Sequence, residues 1–595
     1  MKLILFALFG FIAVFLSFFC FETKTVIKLY TNSIYWLISI TLILWILSVI
    51  DHFKSDRQNQ EFKDLHFFKY IAIFFKNHWI ALLLSLFFIS LGAVSCKPDF
   101  LILADETNLL SDSRSLYESK KCFIDLSSFE YRVGGRDILF ADIDKRPVLF
   151  PYLLSIIHSI SGYRPENIFV LNLVTGFLSL FLIYYLIQLL YGKYWGVIGL
   201  ISLASYPLFI VYTNSGGFDV FNLMCSLVFF VCLYKFIKSP TASMAEILLL
   251  WVPLLSQSRY ESVLSLLIAL PVVFYLLPRQ EYSNLSYKFV LFPLLFIAPA
   301  WLRIATNDPL EWQVDKLNGG FGFNNLVNNF MQSLVFYFSG NEIYGVIPLI
   351  SIIGIVGFIC FLLEIAVKNN RQNLKLENIG LKSDAFIDKS FYCLFWSGFV
   401  IFYVLHAIAK FSYSLADLTE LPAIRHGIIF IPFFIIMSVN FLARINYKYK
   451  MKKSYSFLLV CFLFFYYWPT AANSLCGVRD IEQYLEFKIA REYLEKEFPN
   501  KRDYLILTNF SNWYTPLGYS SVSLHFYKNF EDLIKKYYKE KYCFYYIVIQ
   551  LIDAKSGFPY KGYNMPEGLD NKVIFERKFQ NDYLLKISKC IPKEP

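Results

Sequence analysis

The stretch IFVLNLVTGFLSLFLIYYLIQLL, from Ile168 to Leu190, is a predominantly apolar run without a charged residue. A helix needs about 20 such residues to cross roughly 30 Å of bilayer hydrocarbon, so this run predicts a transmembrane helix. Similar blocks recur over residues 1–470, among them Leu3–Cys20, Ile34–Ile50 and Ile80–Val94. The chain is 56% hydrophobic, more than a soluble protein carries. We therefore predict an integral membrane protein.

The number and orientation of the predicted spans follow from run length and from charge. The length rule gives about thirteen spans, the last ending near Pro469. Short cytoplasmic loops carry an excess of Lys and Arg, and an amino terminus inside the cell makes the loops with Lys54, Arg279 and Lys448 cytoplasmic. The charge rule is satisfied in both halves of the chain only if the short block Ala245–Ser258 is a span separate from the next one. The segment 471–595 then lies outside the cytoplasm, on the outer side of the cytoplasmic (inner) membrane.

Two extramembrane segments are long enough to fold. In 471–595, helix-like and strand-like segments alternate in the order Ile481–Phe498, Tyr504–Thr508, Phe530–Lys539 and Phe544–Ile552. The alternation predicts a small extracytoplasmic α/β domain after an all-α polytopic module of residues 1–470. The first outer loop, 97–167, includes Pro147–Ser161, an apolar segment interrupted by Pro151 and His158. We expect it to form an interfacial helix.

Some basic residues lie at the outer ends of predicted helices, where the excess of Lys and Arg in cytoplasmic loops does not explain them. They are Lys145, Arg146, Arg259, Arg303 and Arg425. Each one alone is equally well explained as a side chain that snorkels to the interface or that pairs with a nearby carboxylate. Several cations at one bilayer depth, however, are what a lipid phosphate headgroup requires. Lys145, Arg146, Arg259 and Arg425 are therefore candidate phosphate-binding residues.

Carboxylates at the same predicted face are candidates for acid–base chemistry. Asp105 and Glu106, in the sequence ADETNLL, directly follow the third predicted span. Such a pair either caps a helix or, near a cationic phosphate pocket, takes a proton from an incoming nucleophile. Asp219, after Gly216 and Gly217, is a candidate helix cap.

Four stretches carry a family resemblance: Asp105–Glu106, KRPVLFPYLLSIIHSISG (Lys145–Gly162), SRYES (Ser258–Ser262) and AIRHGIIFIPFF (Ala423–Phe434). In order and topology, they resemble the GT-C-fold glycosyltransferases that use polyprenyl-phosphate sugars, especially the dolichyl-phosphate-mannose protein mannosyltransferases and the aminoarabinose transferases of lipid A. The resemblance implies inverting sugar transfer at the outer face, with Asp105 as the catalytic carboxylate and Lys145 and Arg425 on the donor phosphate. Asp219 matches an aspartate of that family, so the resemblance makes it a candidate substrate-binding residue as an alternative to a helix cap.

The sequence also departs from that family. Arg146 stands where the family often has a proline, and the stretch from Thr306 to Ile343 has no histidine of the kind that the aminoarabinose branch uses. For this reason the sequence identifies no certain cofactor, and the use of a divalent metal remains an open alternative. The expected partners are a polyprenyl-phosphate-linked sugar, membrane lipids, and a glycan, lipid or protein acceptor.

Two other classes of membrane protein remain as alternatives. A ligase or polymerase of surface polysaccharide would have similar hydropathy, but its arginines and a histidine would be expected in a large late outer loop. A transporter would be expected to show broken helices at the midplane and paired halves. Nucleic-acid binding is not expected, because the net charge of +10 comes from loop lysines and not from a basic patch interleaved with aromatic residues.

Overall fold

The computed structural model describes residues 2–592 apart from 60–66, 96, 133, 307–321, 339–348, 370–388, 413–424, 450–452, 478–481, 554, 557–565, 567 and 580–582. The chain divides into two compact units. The membrane unit comprises Met1–Asp99, Arg146–Phe150 and Phe169–Cys476. The sheet unit comprises Phe100–Lys145, Pro151–Ile168 and Gly477–Pro595.

The described α-helices follow one another along both units. In chain order they are α1 (Lys2–Phe18), α2 (Thr23–Asn59), α3 (Phe67–Ser95), α4 (Leu103–Ser119), α5 (Leu149–Ser161), α6 (Asn167–Tyr191), α7 (Lys193–Ala204), α8 (Pro207–Thr213), α9 (Asp219–Lys238), α10 (Ala242–Ser256), α11 (Leu266–Leu276), α12 (Tyr287–Leu291), α13 (Ile297–Ala305), α14 (Phe323–Phe338), α15 (Leu349–Asn369), α16 (Lys389–Phe411), α17 (Ile431–Tyr449), α18 (Lys453–Gly477), α19 (Glu482–Glu497), α20 (Ser511–Tyr514) and α21 (Tyr527–Lys539). Short 3₁₀ segments are Tyr260–Ser265, Arg279–Ser283, Phe292–Phe296, Arg425–Phe430 and Thr515–Leu517.

The membrane unit is built from apolar helices, as the sequence predicts. Within the described residues, seven helical stretches are long and apolar enough to cross a membrane, or eight if the bent pair α7 and α8 is one span. Six more apolar helices are shorter. The polytopic helical architecture is therefore confirmed, whereas the count of about thirteen spans stays a prediction.

One predicted span is broken in the structure. The block Trp195–Tyr212 forms α7 and α8, whose axes differ by 70°. Pro207 is the first residue of α8, and a proline there lacks the amide that would continue α7 and restricts the residue before it. The block Ala245–Ser258, by contrast, forms α10, which ends before the next helical segment begins at Tyr260 and packs against α11.

The sheet unit is built around a seven-stranded sheet of order β2-β1-β4-β3-β5-β7-β6. Its strands are β1 (Ile124–Glu130), β2 (Arg136–Asp142), β3 (Tyr504–Thr508), β4 (Ser521–Ser523), β5 (Tyr545–Asp553), β6 (Leu569–Lys578) and β7 (Tyr583–Pro592). β3 runs parallel to β4 and to β5, and the other neighbours are antiparallel. The core includes Phe129, Leu505, Ile534 and Val548, all buried. The predicted α/β domain is thus confirmed.

Strands β1 and β2, from the loop 97–167, belong to this same sheet, which the sequence did not reveal. Ser128 of β1 pairs with Ser521 of β4, almost 400 residues later in the chain. Local periodicity carries no information about pairing at such a separation. Strands of one sheet lie on one side of a membrane, so the loop and the C-terminal segment share a side.

Candidate active site

The carboxylate pair lies at the start of α4 in the sheet unit. Asp105 and Glu106 occupy its first turn, where negative charge favours the positive end of the helix dipole. The Leu101 amide donates to Glu106 Oε2 at 2.8 Å, and Glu106 is fully buried. Asp105 is half-buried. Glu106 therefore shapes the loop that leads into α4, and Asp105 is the more accessible acid of the pair.

A buried ion-pair network holds α4 to the sheet. Arg114 of α4 lies 2.8 Å from Glu118 and 2.6 Å from Glu130 of β1, measured between nitrogen and oxygen atoms. Arg136 of β2 lies 2.8 Å from Glu118 and pairs with Asp125 of β1. Two guanidinium groups thereby join one helix and two strands through forked contacts.

Two further carboxyl groups near α4 were not singled out from the sequence. Asp112, on the same helix face as Asp105, and Asp144, next to Lys145, are both almost fully buried. Burial raises the pKa of Asp112 well above its usual range, and the nearby Asp144 raises it further. A raised pKa leaves less of the carboxylate form that can accept a proton, and Asp112 is buried whereas Asp105 is only half-buried, so Asp105 remains the better candidate for a base.

The predicted interfacial segment forms α5 and follows directly on the two basic residues. Lys145 is half-buried and belongs to the sheet unit, whereas Arg146 is 7% exposed and belongs to the membrane unit. His158, which interrupts the apolar pattern, lies with Nε2 3.2 Å from the Ser113 hydroxyl of α4. Its ring is thus a buried hydrogen-bonding group that fixes α5 on α4.

The membrane unit contains a second group of charges, buried among apolar helices. Arg259, between α10 and the 3₁₀ segment Tyr260–Ser265, is 3% exposed and donates from Nη2 to Asp219 Oδ1. Its Nε lies 3.9 Å from Glu261 Oε1, and Lys410 Nζ of α16 lies 2.9 Å from the same oxygen. Asp219 is the first residue of α9, with Phe218 at the cap position, so its side chain pairs with Arg259 and does not cap the helix.

Arg425 and His426, at the start of the segment Arg425–Phe430, complete this group. His426 Nδ1 lies 3.4 Å from Arg259 Nη1, and Lys410 Nζ donates to the His426 carbonyl oxygen at 3.4 Å. Arg425 is half-buried and close enough to Arg259 for the two charges to repel each other. Glu261, Lys410 and His426 were not singled out from the sequence. The structure thus brings three predicted residues together, Asp219, Arg259 and Arg425; Arg303 is exposed at the end of α13.

We call Asp219, Arg259, Glu261, Lys410 and Arg425 the Arg259 cluster. Within it, the like charges of Arg259 and Arg425 repel each other, beside the pair of Lys410 and Glu261. An anion that contacts both guanidinium groups relieves this repulsion, so the arrangement favours an added anion. Among the residues that the structure describes, no group of three or more His, Cys, Asp or Glu side chains is arranged to hold a metal ion.

Comparison with known proteins agrees with the resemblance drawn from the sequence. The model of the dolichyl-phosphate-mannose-protein mannosyltransferase family matches residues 145–302, a segment that includes Lys145, Arg146, Asp219, Arg259 and Glu261. The resemblance is thus confirmed over that part of the chain. No curated protein matches the sequence.

Two solved structures of ArnT from Cupriavidus metallidurans are similar in fold. The one bound to undecaprenyl phosphate has 12% sequence identity and a TM-score of 0.46, over 86% of this chain and 98% of that chain. The apo structure has 10% identity, the same TM-score and the same coverage.

Proposed function

We propose that this chain is a membrane glycosyltransferase that moves a sugar from a polyprenyl-phosphate donor to an acceptor at the outer face of the cytoplasmic membrane. The observation that carries the proposal is the proximity of Arg259 and Arg425 in the Arg259 cluster, of which Asp219, Arg259 and Glu261 lie inside the segment similar to the mannosyltransferases. A phosphate group relieves the repulsion between the two guanidinium groups, and its lipid tail suits apolar helices. Arg259 and Arg425 bind that phosphate, with Lys145 as a further contact and Arg146 as a weaker one.

Catalysis in this proposal needs one base and a stabilised leaving group. The Asp105 carboxylate takes the proton from the acceptor nucleophile, which forms a bond to the anomeric carbon of the sugar. The bond between that carbon and the phosphate oxygen breaks, and the polyprenyl phosphate leaves with the electron pair. The configuration at the anomeric carbon inverts. The basic residues stabilise the charge that develops on the leaving phosphate.

The role of Asp105 is tested by Asp105→Asn, which keeps the shape of the side chain but removes its basicity. We expect turnover to fall by at least about a hundredfold, the lower range for loss of a general base. Glu106→Gln is the matched control and should have a milder effect, because an amide oxygen can still accept from Leu101. The assay follows sugar transfer from purified polyprenyl-phosphate donor to a native acceptor extract, with donor binding measured separately.

Three outcomes of that assay would change the account. Near-normal transfer by Asp105→Asn with loss in Glu106→Gln would exchange the two roles. Normal transfer by both variants would leave the proposed mechanism without a base and would favour a polysaccharide ligase. Loss of donor binding by Asp105→Asn would mean that the substitution had disturbed the fold instead of the chemistry.

The proposed orientation puts the amino terminus in the cytoplasm and the C-terminal segment outside. The Lys and Arg distribution supports it, and so does the sheet that joins β1 to β4, because it requires the loop 97–167 and the tail to share a side. A reporter fused after Pro595 should be active only if it works outside the cytoplasm. Activity of a strictly cytoplasmic reporter at that position would overturn the orientation.

The sugar and the acceptor can be identified together. Mass spectrometry of surface glycans and lipid A, from cells with and without this chain, should show one sugar lost from one class of acceptor. An unchanged profile of every sugar would contradict the proposed transfer.

A further inference from the structure

A second group of buried polar side chains lies in the membrane unit, at the far end of α17 from Arg425. Arg444 follows Arg425 by 19 residues, and a helical rise of about 1.5 Å per residue separates the two by roughly 30 Å. This distance matches the thickness of the bilayer hydrocarbon. Arg444 therefore lies near the opposite membrane surface from the Arg259 cluster, which is the cytoplasmic surface in the proposed orientation.

Asn440, one turn before Arg444 on α17, presents a buried hydrogen-bond donor. Arg444 Nε donates to Asn440 Oδ1 at 2.8 Å. Because a guanidinium group can only donate, this contact fixes which end of the amide is oxygen and which is nitrogen. Asn440 is 1% exposed, and among the residues that the structure describes its Nδ2 has no hydrogen-bond partner. The amide therefore holds Arg444 with its oxygen and has its N–H groups available for a ligand.

Tyr191, the last residue of α6, supplies a second such donor. Its hydroxyl oxygen is buried and has no hydrogen-bond partner in the described part of the chain. The Tyr191 side chain lies close enough to Arg444 for the two groups to interact electrostatically. We call Tyr191, Asn440 and Arg444 the Arg444 site.

The Arg444 site combines two buried donors with a positive charge. A buried donor without a partner costs stability, so the Tyr191 hydroxyl and the Asn440 amide are expected to have an acceptor. A neutral oxygen would satisfy one donor, whereas a phosphate group has several oxygens and the negative charge that suits a guanidinium group. Lys193 and Lys448, both exposed at this end of α7 and α17, also attract anions. The site therefore favours a phosphate group over a neutral ligand.

An apolar surface continues from the Arg444 site along α15. Cys360 of this helix lies close enough to Arg444 for the two side chains to interact electrostatically. Val356, Ile359 and Leu363 lie on the same side of α15 as Cys360, and all three are exposed. A free anion gains nothing from this surface, whereas the acyl chain of a phospholipid covers it.

We infer that the Arg444 site binds the phosphate headgroup of an anionic phospholipid. The guanidinium, amide and hydroxyl donors contact the phosphate oxygens, and an acyl chain lies along the exposed side of α15. The bound lipid then joins α6, α15 and α17 at this membrane surface. The inference does not rest on the proposed function, because the Arg444 site shares no residue with the Arg259 cluster.

The test is native mass spectrometry of the full chain in detergent, titrated with dioleoyl phosphatidylglycerol or with dioleoyl phosphatidylcholine. The two lipids have the same acyl chains and differ in the net charge of the headgroup. We expect the wild type to bind phosphatidylglycerol at least about tenfold more tightly. Tyr191→Phe removes one donor, and Asn440→Asp keeps the oxygen that holds Arg444 but replaces the other donor by a negative charge. Each variant should weaken phosphatidylglycerol binding by about tenfold.

Two variants are controls, and thermal unfolding is a second readout. Tyr206→Phe makes the same change at a hydroxyl that already contacts the Ser351 hydroxyl at 3.1 Å, so lipid binding should not change. Arg425→Gln alters the Arg259 cluster and should keep the preference for phosphatidylglycerol. Without lipid, Tyr191→Phe should be at least as stable as the wild type, because the lost hydroxyl has no partner within the described residues. Phosphatidylglycerol should then stabilise the wild type more than this variant.

Equal affinity of the wild type for the two lipids would overturn the inference. Unchanged binding by either site variant would do the same, and is the result expected if ordered water fills the site. Lower stability of lipid-free Tyr191→Phe would mean that the hydroxyl has its partner within the protein. Displacement of phosphatidylglycerol by inorganic phosphate would indicate a site for a free anion and exclude the lipid. Loss of the preference in Arg425→Gln would mean that the lipid binds at the Arg259 cluster instead.

Discussion

The two buried charge groups of this protein differ in how their arginines are arranged. In the sheet unit, Arg114 and Arg136 share the Glu118 carboxylate, and each also pairs with a carboxylate of β1. In the membrane unit, Arg259 pairs with Asp219, but it also lies close enough to Arg425 for the two charges to repel each other. The first group joins its arginines through a shared carboxylate, and the second group brings two like charges together.

The difference indicates two roles for arginine in this protein, namely structural pairing and anion binding. Arginines that pair with carboxylates through forked contacts fix secondary-structure elements in place. Loss of such a contact leaves a buried carboxylate without its partner, and the uncompensated desolvation of that carboxylate costs stability. Two like charges held close together instead cost stability, and an anion that binds both of them lowers that cost. Arg114 should therefore matter for folding, and the Arg259 cluster for binding a phosphate.

The largest effect is expected for Arg114→Met, which breaks the ion-pair network of the sheet unit. Removal of one partner from a buried pair should lower the free energy of unfolding by about 3–5 kcal/mol. Arg132→Met is the control, since Arg132 pairs with Asp503 at a side-chain exposure of 36% and such a pair contributes about 1 kcal/mol or less. Thermal unfolding in nanodiscs measures both. Equal losses in the two variants would remove the structural role of the network.

A smaller effect, on binding instead of stability, is expected for Arg425→Gln. Loss of one charge-assisted contact to phosphate should weaken polyprenyl-phosphate binding by about ten- to a hundredfold. Folded Arg114→Met should keep wild-type affinity, which makes the two arginines reciprocal controls. The same weakening in both variants would erase the distinction between the two groups.

The smallest effect is expected from a change in the net charge of the Arg259 cluster. Lys410→Gln lowers the net charge of the Arg259 cluster by one and should weaken phosphate binding by about tenfold. Lys410→Gln combined with Glu261→Gln removes one charge of each sign and leaves the net charge unchanged. The double variant should therefore bind better than the single one. If the double variant bound more weakly, Lys410 would act through a direct contact and not through net charge.

The sequence predicts the parts of this site that depend on local pattern. The apolar runs, the position of Asp105 and Glu106 before a helix, and strand β3 at Tyr504–Thr508 are all local features, and the structure has each of them. Arg259 and Arg425 were found because they break the charge rule. Their juxtaposition was not predictable, since it joins residues 166 positions apart.

The features that were not predicted from the sequence depend either on tertiary contacts or on a local signal that is easily overlooked. Glu261 and Lys410 lie next to apolar runs, where an ionisable residue is costly and is usually functional. The hairpin of β1 and β2 also had a signal, because Gly134 and Gly135 both have positive φ and Gly-Gly is typical of a tight turn. The pairing of β1 with β4 had no such local sign.

The most direct test of the account compares two lipids that differ only in the headgroup. Binding of polyprenyl phosphate and of the uncharged polyprenol to the full chain in nanodiscs can be measured by native mass spectrometry. We predict that the wild type prefers the phosphate by at least about tenfold and that Arg425→Gln loses most of this preference. Equal affinity of the wild type for the two lipids would contradict a phosphate site in the Arg259 cluster.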